Sequence, residues 1–254
     1  MNSFVAFYRK EWTELRRTKR LYALLGIFVL FGMVSPFLAR YMKEIISASM
    51  GSSALILIST PVWSDSWKQF YNNLSQMGGI SVLLIFMSSI CGEKQAKTAA
   101  LLFTKNLSPA EFLIAKFMAA VGSVLLAFLS AVLLCWGYTY YLFGYAGEWK
   151  DILEGAFIYI IFMVTLLSIV MLASTFAMTT AFAAMFAFAG YLVLILSAYL
   201  PLVGSLMPGS LLPMTISVVI NGSLIIILPQ ILIALMISSV CVFVSISVLK
   251  HQEI

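Results

Sequence analysis

From Gly155 to Leu249 the chain carries no Asp, Glu, Lys, Arg or His. A soluble domain is about one quarter charged because water must solvate its surface. An uncharged run of this length therefore has lipid as its solvent. The rest of the chain agrees: of 254 residues, 62% are hydrophobic and 10% charged, and the mean hydropathy is +1.04. Transmembrane barrels show as alternating segments of about 10 residues, whereas these apolar runs reach about 20, the length of a helix crossing a bilayer core. The expected fold class is all-α integral membrane.

Six spans are expected within a single transmembrane domain, 1–254: about 21–39, 74–92, 117–143, 155–174, 179–199 and 223–249. The first follows a basic segment and lacks a small-x-small cleavage site, so it reads as a retained span. Orientation follows from Lys and Arg. With the N-terminus inside, eleven of these residues fall on inner segments and four on outer ones, while the acids divide five and five. The positive-inside rule weighs the first ratio and makes both termini cytoplasmic.

The net charge of +5 is thus a topology signal, and nucleic acid is not an expected partner. Cys91, Cys135 and Cys241 sit in apolar runs without CxxC spacing, as buried structural thiols do. His251 is the only histidine, which leaves no set for a metal centre or a His-dependent general base. No GxxxxGK[ST] is present, and no acid or base stands mid-span for a proton relay. No intramembrane protease motif is available either, so the chain is not expected to be an enzyme.

Outside the spans, Trp63 and Trp67 in PVWSDSW are expected at headgroup level. Residues 200–222 are apolar but broken by Pro201, Pro208, Gly209 and Pro213. That segment is expected to form a re-entrant or interfacial hairpin before the last span. Pro229 is expected to kink the sixth span. Small residues at four-residue spacing, Ala119, Ser123, Ala127 and Ala131, predict close helix packing, and Ala173, Ala177 and Ala181 predict a second such row.

The most informative segment is polar. GEKQAKTAALLFTKNLSPAEFLIAKF, residues 92–117, falls on the inner side between spans two and three. Ser108-Pro109-Ala110-Glu111 is a capping box with proline at N1. Leu107 and Phe112 take the positions of a hydrophobic staple, and Glu93 and Lys97 form an i,i+4 pair. An exposed Leu101-Leu102-Phe103 cluster beside such caps calls for a partner. The segment reads as a rigid elbow that docks a cytoplasmic protein.

The order Glu93, Thr98, Leu101-Leu102, Thr104-Lys105, Ser108, Glu111-Phe112 and Lys116 after a second span resembles type-2 ATP-binding-cassette (ABC) permeases. FYRKEWTELRRTKRLY, ahead of the first span, is similar to their N-terminal amphipathic interfacial helix, here 1–20. The sequence departs from the usual pattern at Lys97, Asn106 and Pro109. The resemblance implies that 93–116 is a cytoplasmic coupling loop seated on a separate ABC ATPase subunit, present in two copies. It assigns ATPase coupling to Glu93, Lys97, Thr98, Leu101, Leu102, Lys105 and Ser108, with Glu11, Glu14 and Arg17 in support. Basic residues near the N-terminus also suit anionic membrane lipids.

It further implies a second permease copy or a paralogue, with ATP and Mg held by the ATPase and no cofactor in this chain. The substrate path is expected at Asn72, Asn73 and Gln76 on span two and at Met178, Phe182 and Met185 on span five. These would face an apolar or amphipathic cargo, best an amphipathic peptide, exported as in permeases of toxin-like peptides and bacteriocin self-immunity. The rival readings are an ion-coupled secondary transporter and a non-transporting immunity or scaffold protein.

Overall fold

The structure is a computed structural model and describes residues 3–50, 60–96, 108–201, 203–222 and 227–251. Among them there is no β-strand, and six helices are long and apolar enough to cross a membrane. An amphipathic helix, α1 (Ser3–Arg17), precedes the first span, α2 (Arg20–Met50). The second span is segmented into α3 (Trp63–Asn73), a π-turn (Leu74–Gly78), α4 (Gly79–Phe86) and α5 (Cys91–Gln95). Spans three to five are α6 (Pro109–Phe143), α7 (Trp149–Phe176) and α8 (Thr180–Leu196). A short helix, α9 (Leu211–Asn221), leads to the sixth span, α10 (Leu228–His251).

The fourth span is the centre. In its most apolar stretch 72% of residues are buried, against 22% in the fifth and in the sixth. Lipid tails are as apolar as leucine, so helices here associate through close fit and buried hydrogen bonds. Both are visible. Ala119, Ser123, Ala127 and Ala131 are all buried on α6, and a Cβ placed on Gly32 of α2 would stand 2.7 Å from the Ala131 carbonyl. On α7, Thr165 accepts a hydrogen bond from Ser238 of α10 at 3.1 Å. An aromatic group fills part of the core, with Phe128 stacked on Tyr159 at 4.7 Å and Tyr71 beside Tyr159 at 5.6 Å.

Several local expectations need correction. The row Ala173, Ala177, Ala181 is not a helix face, because α7 ends at Phe176 and Ala177 is extended, with ψ of 140°. Thr179 then caps α8 by accepting from the Phe182 N–H. Pro229 stands in the first turn of α10, where its missing N–H is harmless, so it starts the helix instead of kinking it. Trp67 is fully buried and donates its Nε1–H to the Ala146 carbonyl at 2.9 Å, so it anchors the segment joining α6 to α7 and is not part of a lipid-facing belt.

The broken segment before α10 has its own geometry. Gly209 backs onto the Leu194 carbonyl, further down α8 than the Ala198 carbonyl against which Gly204 packs. The following helix α9 then lies against the first half of α7, with Val219 on Gly155 and Gly222 beside Asp151. Pro213 falls in the first turn of α9, a position that tolerates it.

Candidate functional site

The N-terminal helix alternates its two faces at helical spacing. Phe7, Glu11 and Leu15 are buried, while Arg9, Lys10, Arg16 and Arg17 are exposed. The apolar face packs on α6: the Phe7 and Phe112 rings are 5.4 Å apart, and the Trp12 ring covers Gly122. A carboxylate in that face needs a cation, since an unpaired buried charge is strongly disfavoured. Glu11 has one. Lys116 of α6, its side chain only 3% exposed, bonds the Glu11 carboxylate at 2.9 Å.

Lys116 also bonds Glu93 of α5 at 3.0 Å. Lys10 bonds Glu11 at 3.0 Å, Glu14 at 2.8 Å and Glu93 at 2.8 Å. Five charges from three elements therefore form one clamp. The rings of Phe7 and Phe112 lie 5.8 Å and 5.3 Å from the Lys116 ammonium. Burial alone would lower the Lys10 pKa, but hydrogen bonds to Glu14 and Glu93 outweigh it and hold the ammonium well above its ordinary value. For Glu14, burial works to raise the pKa, and the Lys10 bond with the nearby Lys116 and Arg20 charges lowers it overall.

The start of the elbow is tied to a further element. The Ile90 and Cys91 N–H groups both donate to Ser174 Oγ at 3.1 Å. Lys94 Nζ donates to the Thr175 carbonyl, and Gln95 Nε2 donates to the Met178 carbonyl at 3.2 Å. Thus α5 is fastened to α1, to the start of α6 and to the end of α7. Beside it lies a cleft of about 790 Å³ with Phe86, Leu15 and Ala120 among its apolar walls and Lys10, Glu93 and Arg20 among its charged ones. At the start of α6, Ser108 Oγ accepts from the Glu111 N–H at 3.2 Å and the Ser108 N–H donates to Glu111 at 2.9 Å.

Of the coupling residues named from sequence, Glu93, Glu11 and Glu14 meet in the clamp, Ser108 caps α6, and Arg17 is exposed in the last turn of α1. Lys97, Thr98, Leu101, Leu102 and Lys105 lie outside the described residues, as does Leu107 of the staple. The structure adds Lys10, Lys116, Ser174 and Thr175. Lys116 stands at the edge of the third apolar run, and the sequence there does not tell a solvated lysine from a buried, paired one.

The path residues lie on span two and at the start of span five, all among the described residues. Asn72 and Gln76 are exposed on span two, and Asn73 donates to Ser35 Oγ of α2 at 3.1 Å. Met178, 83% exposed, precedes α8, and Phe182 and Met185 lie on its outward face. None of the six lines the inner cleft. Spans two and five are neighbours, however, because Tyr191 of α8 donates to the Ser75 carbonyl.

A profile of the family described as "ABC-2 family transporter protein" matches residues 5–242. The chain is also similar to an uncharacterized transmembrane protein, YxlG, of Bacillus subtilis strain 168, at 22% identity over 120 residues, or 46% of each chain. The alignment thus spans about half the length of that relative. Membrane subunits of this family serve transporters whose ATP hydrolysis resides in a separate subunit. With its six apolar helices the chain is a multi-pass cell-membrane protein, a permease subunit, and it belongs to the ABC-2 transporter family.

Proposed function

We propose that the chain moves an apolar or amphipathic cargo outward, with an amphipathic peptide the best candidate, by alternating access driven at the inner-face elbow. Two copies of a cytoplasmic ABC ATPase supply the pull and hold the ATP and Mg, and this chain holds no cofactor. Both termini are cytoplasmic in this reading, and α1 lies at the membrane surface. The observation that carries the proposal is the clamp on Lys116. It joins the start of the elbow to α1 and α6, while Ser174 and Thr175 join it to α7. Force applied at the elbow reaches the inner ends of three spans at once.

A second copy or paralogue completes the path. In support, Gln76 and Asn72 are exposed polar groups on a span, which lipid penalises, and that span adjoins α8 through Tyr191. Phe182 and Met185 of α8 are also exposed. A Met- and Phe-lined wall adapts to irregular apolar partners. The absence of charge from Gly155 to Leu249 favours a cargo without multiple charges.

Affinity isolation from membranes tests the coupling. The chain is expected to bring down an ATPase, and Leu101→Asp with Leu102→Asp is expected to lose it while the chain stays inserted. An ATPase retained at full level by that variant would refute the elbow as the docking element.

A further inference from the structure

Among the described residues, Leu74–Gly78 of the second span is the one place where an α-helix widens to a π-turn. The Gly79 N–H there reaches back to the Leu74 carbonyl. A π-turn holds one residue more than the α-helical turn it replaces, and it occurs mostly as a single turn at functional positions. Three other spans hold this one. Tyr159 of α7 donates to the Leu74 carbonyl at 2.9 Å, Tyr191 of α8 donates to the Ser75 carbonyl, and Asn73 ties the preceding residue to Ser35 of α2.

Two details make the turn more than a packing irregularity. The Tyr191 hydroxyl is already 3.5 Å from the next carbonyl, that of Gln76. The turn also runs into a glycine pair, of which Gly79 is the one that lets Tyr191 approach. A Cβ on Gly79 would stand 2.5 Å from the Tyr191 hydroxyl, and one on Gly78 would stand 3.5 Å from the Tyr159 hydroxyl.

We infer that Leu74–Gly79 is a one-residue register switch in the second span. The surplus residue of the π-turn moves one place toward the inner end as the Tyr191 hydroxyl passes from the Ser75 to the Gln76 carbonyl. A step of one residue is about 100° around a helix, so the exposed Gln76 is the side chain that turns. The exchange of one acceptor for the next leaves no backbone group unmet in lipid, where unmet groups are heavily penalised. It also lets the inner half of the span move while the outer half stays. Tyr159 and Tyr191 are positioning residues. The inference rests on the coupling proposed above only for what drives the shift, since the two registers belong to the chain alone.

Hydrogen–deuterium exchange on the full chain, in nanodiscs of phosphatidylethanolamine and phosphatidylglycerol, reads the switch in a peptide covering 74–86. That peptide is expected to exchange faster than the middle of α6. Deleting Gln76 removes the surplus residue while both flanks keep their faces, and exchange should slow to the α6 level. Tyr191→Phe should speed exchange about tenfold, the effect of losing one hydrogen bond, and should do nothing in the deletion background.

A turn with only a structural role predicts the reverse, a deletion that loosens the span. Faster or unchanged exchange in the deletion, or an equal Tyr191→Phe effect in both backgrounds, overturns the inference. Should the deletion not insert, Gly79→Ala displaces the Tyr191 ring and should raise exchange as Tyr191→Phe does; no change with either overturns it as well. An elbow that binds no ATPase would leave all these exchange results standing, so the two failures are distinguishable.

Discussion

The two ends of the bundle are fastened by different chemistry. At the end that bears α1, Lys116 and Lys10 hold three carboxylates from α1 and α5, and Ser174 takes two backbone N–H groups. At the opposite end the contacts are mostly aromatic. Trp67 is buried and bonded to Ala146, Trp63 meets Tyr145 edge to face at 5.3 Å, and Trp136 lies 4.5 Å from Trp149. Ion pairs shielded from water fix direction and partner, whereas aromatic packing fixes area and shape. In the function proposed above, the first is the clamp that receives the pull and the second the pivot that resists it. The second span is anchored in both and carries the π-turn between them.

The largest expected effect is on the clamp. Lys116→Met leaves the buried Glu11 carboxylate only the more exposed Lys10 as its cation. Removal of one partner from a buried pair costs about 3–5 kcal/mol, and Lys10 should hold the loss to the lower end of that range. Thermal unfolding in detergent should fall accordingly, and Glu11→Gln in the same background should restore part of the loss. Stability unchanged by Lys116→Met would make the inner end no clamp. Next comes the pivot. Trp67→Phe keeps most of the ring but orphans the Ala146 carbonyl, which should cost about 1–3 kcal/mol. That variant should still retain the ATPase once folded, which sharpens the contrast between the ends.

Smaller effects probe the edges of the clamp. Ser108→Ala removes the cap where the elbow meets α6, a loss of about 1 kcal/mol, and limited proteolysis near 108 should quicken. Acidification gives the smallest effect. The folded pKa of Glu14 is depressed, so its contribution is complete above its unfolded value of about 4.3 and fades as pH falls through the folded one. Lys10 is raised, so its share is complete below its unfolded value of about 10.4 and is lost only in strong base. Both side chains are more than one third exposed, which limits the effect to a few tenths of a kcal/mol. Trp12 emission should report α1 loosening below about pH 4, with no change across neutrality.

What was legible in the sequence was whatever local chemistry writes locally. Apolar runs disclosed the all-helical membrane fold, and Ser-Pro-Ala-Glu disclosed the start of α6. The clamp was hidden because its bonds are distant: Lys116 and Glu11 are 105 residues apart. A lysine at the edge of an apolar run looks the same whether solvated or buried with a partner. The Ala173–Ala177–Ala181 row misled because spacing alone does not reveal a helix end. Pro229 misled because its effect depends on where α10 begins. The π-turn left only the Gly78–Gly79 pair as a trace, and the tyrosines that hold it come from two other spans.

The central claim is that the inner ends move as one body when the ATPase acts. Spin labels at Gln95→Cys, beside the clamp, and at Arg9→Cys, on the exposed face of α1, measure it in the isolated complex before and after ATP. The account predicts an unchanged Gln95–Arg9 distance, while the distance from Gln95 to a label at Lys68→Cys near the outer pivot changes. A Gln95–Arg9 distance that shifts with ATP, with the outer distance constant, would contradict it.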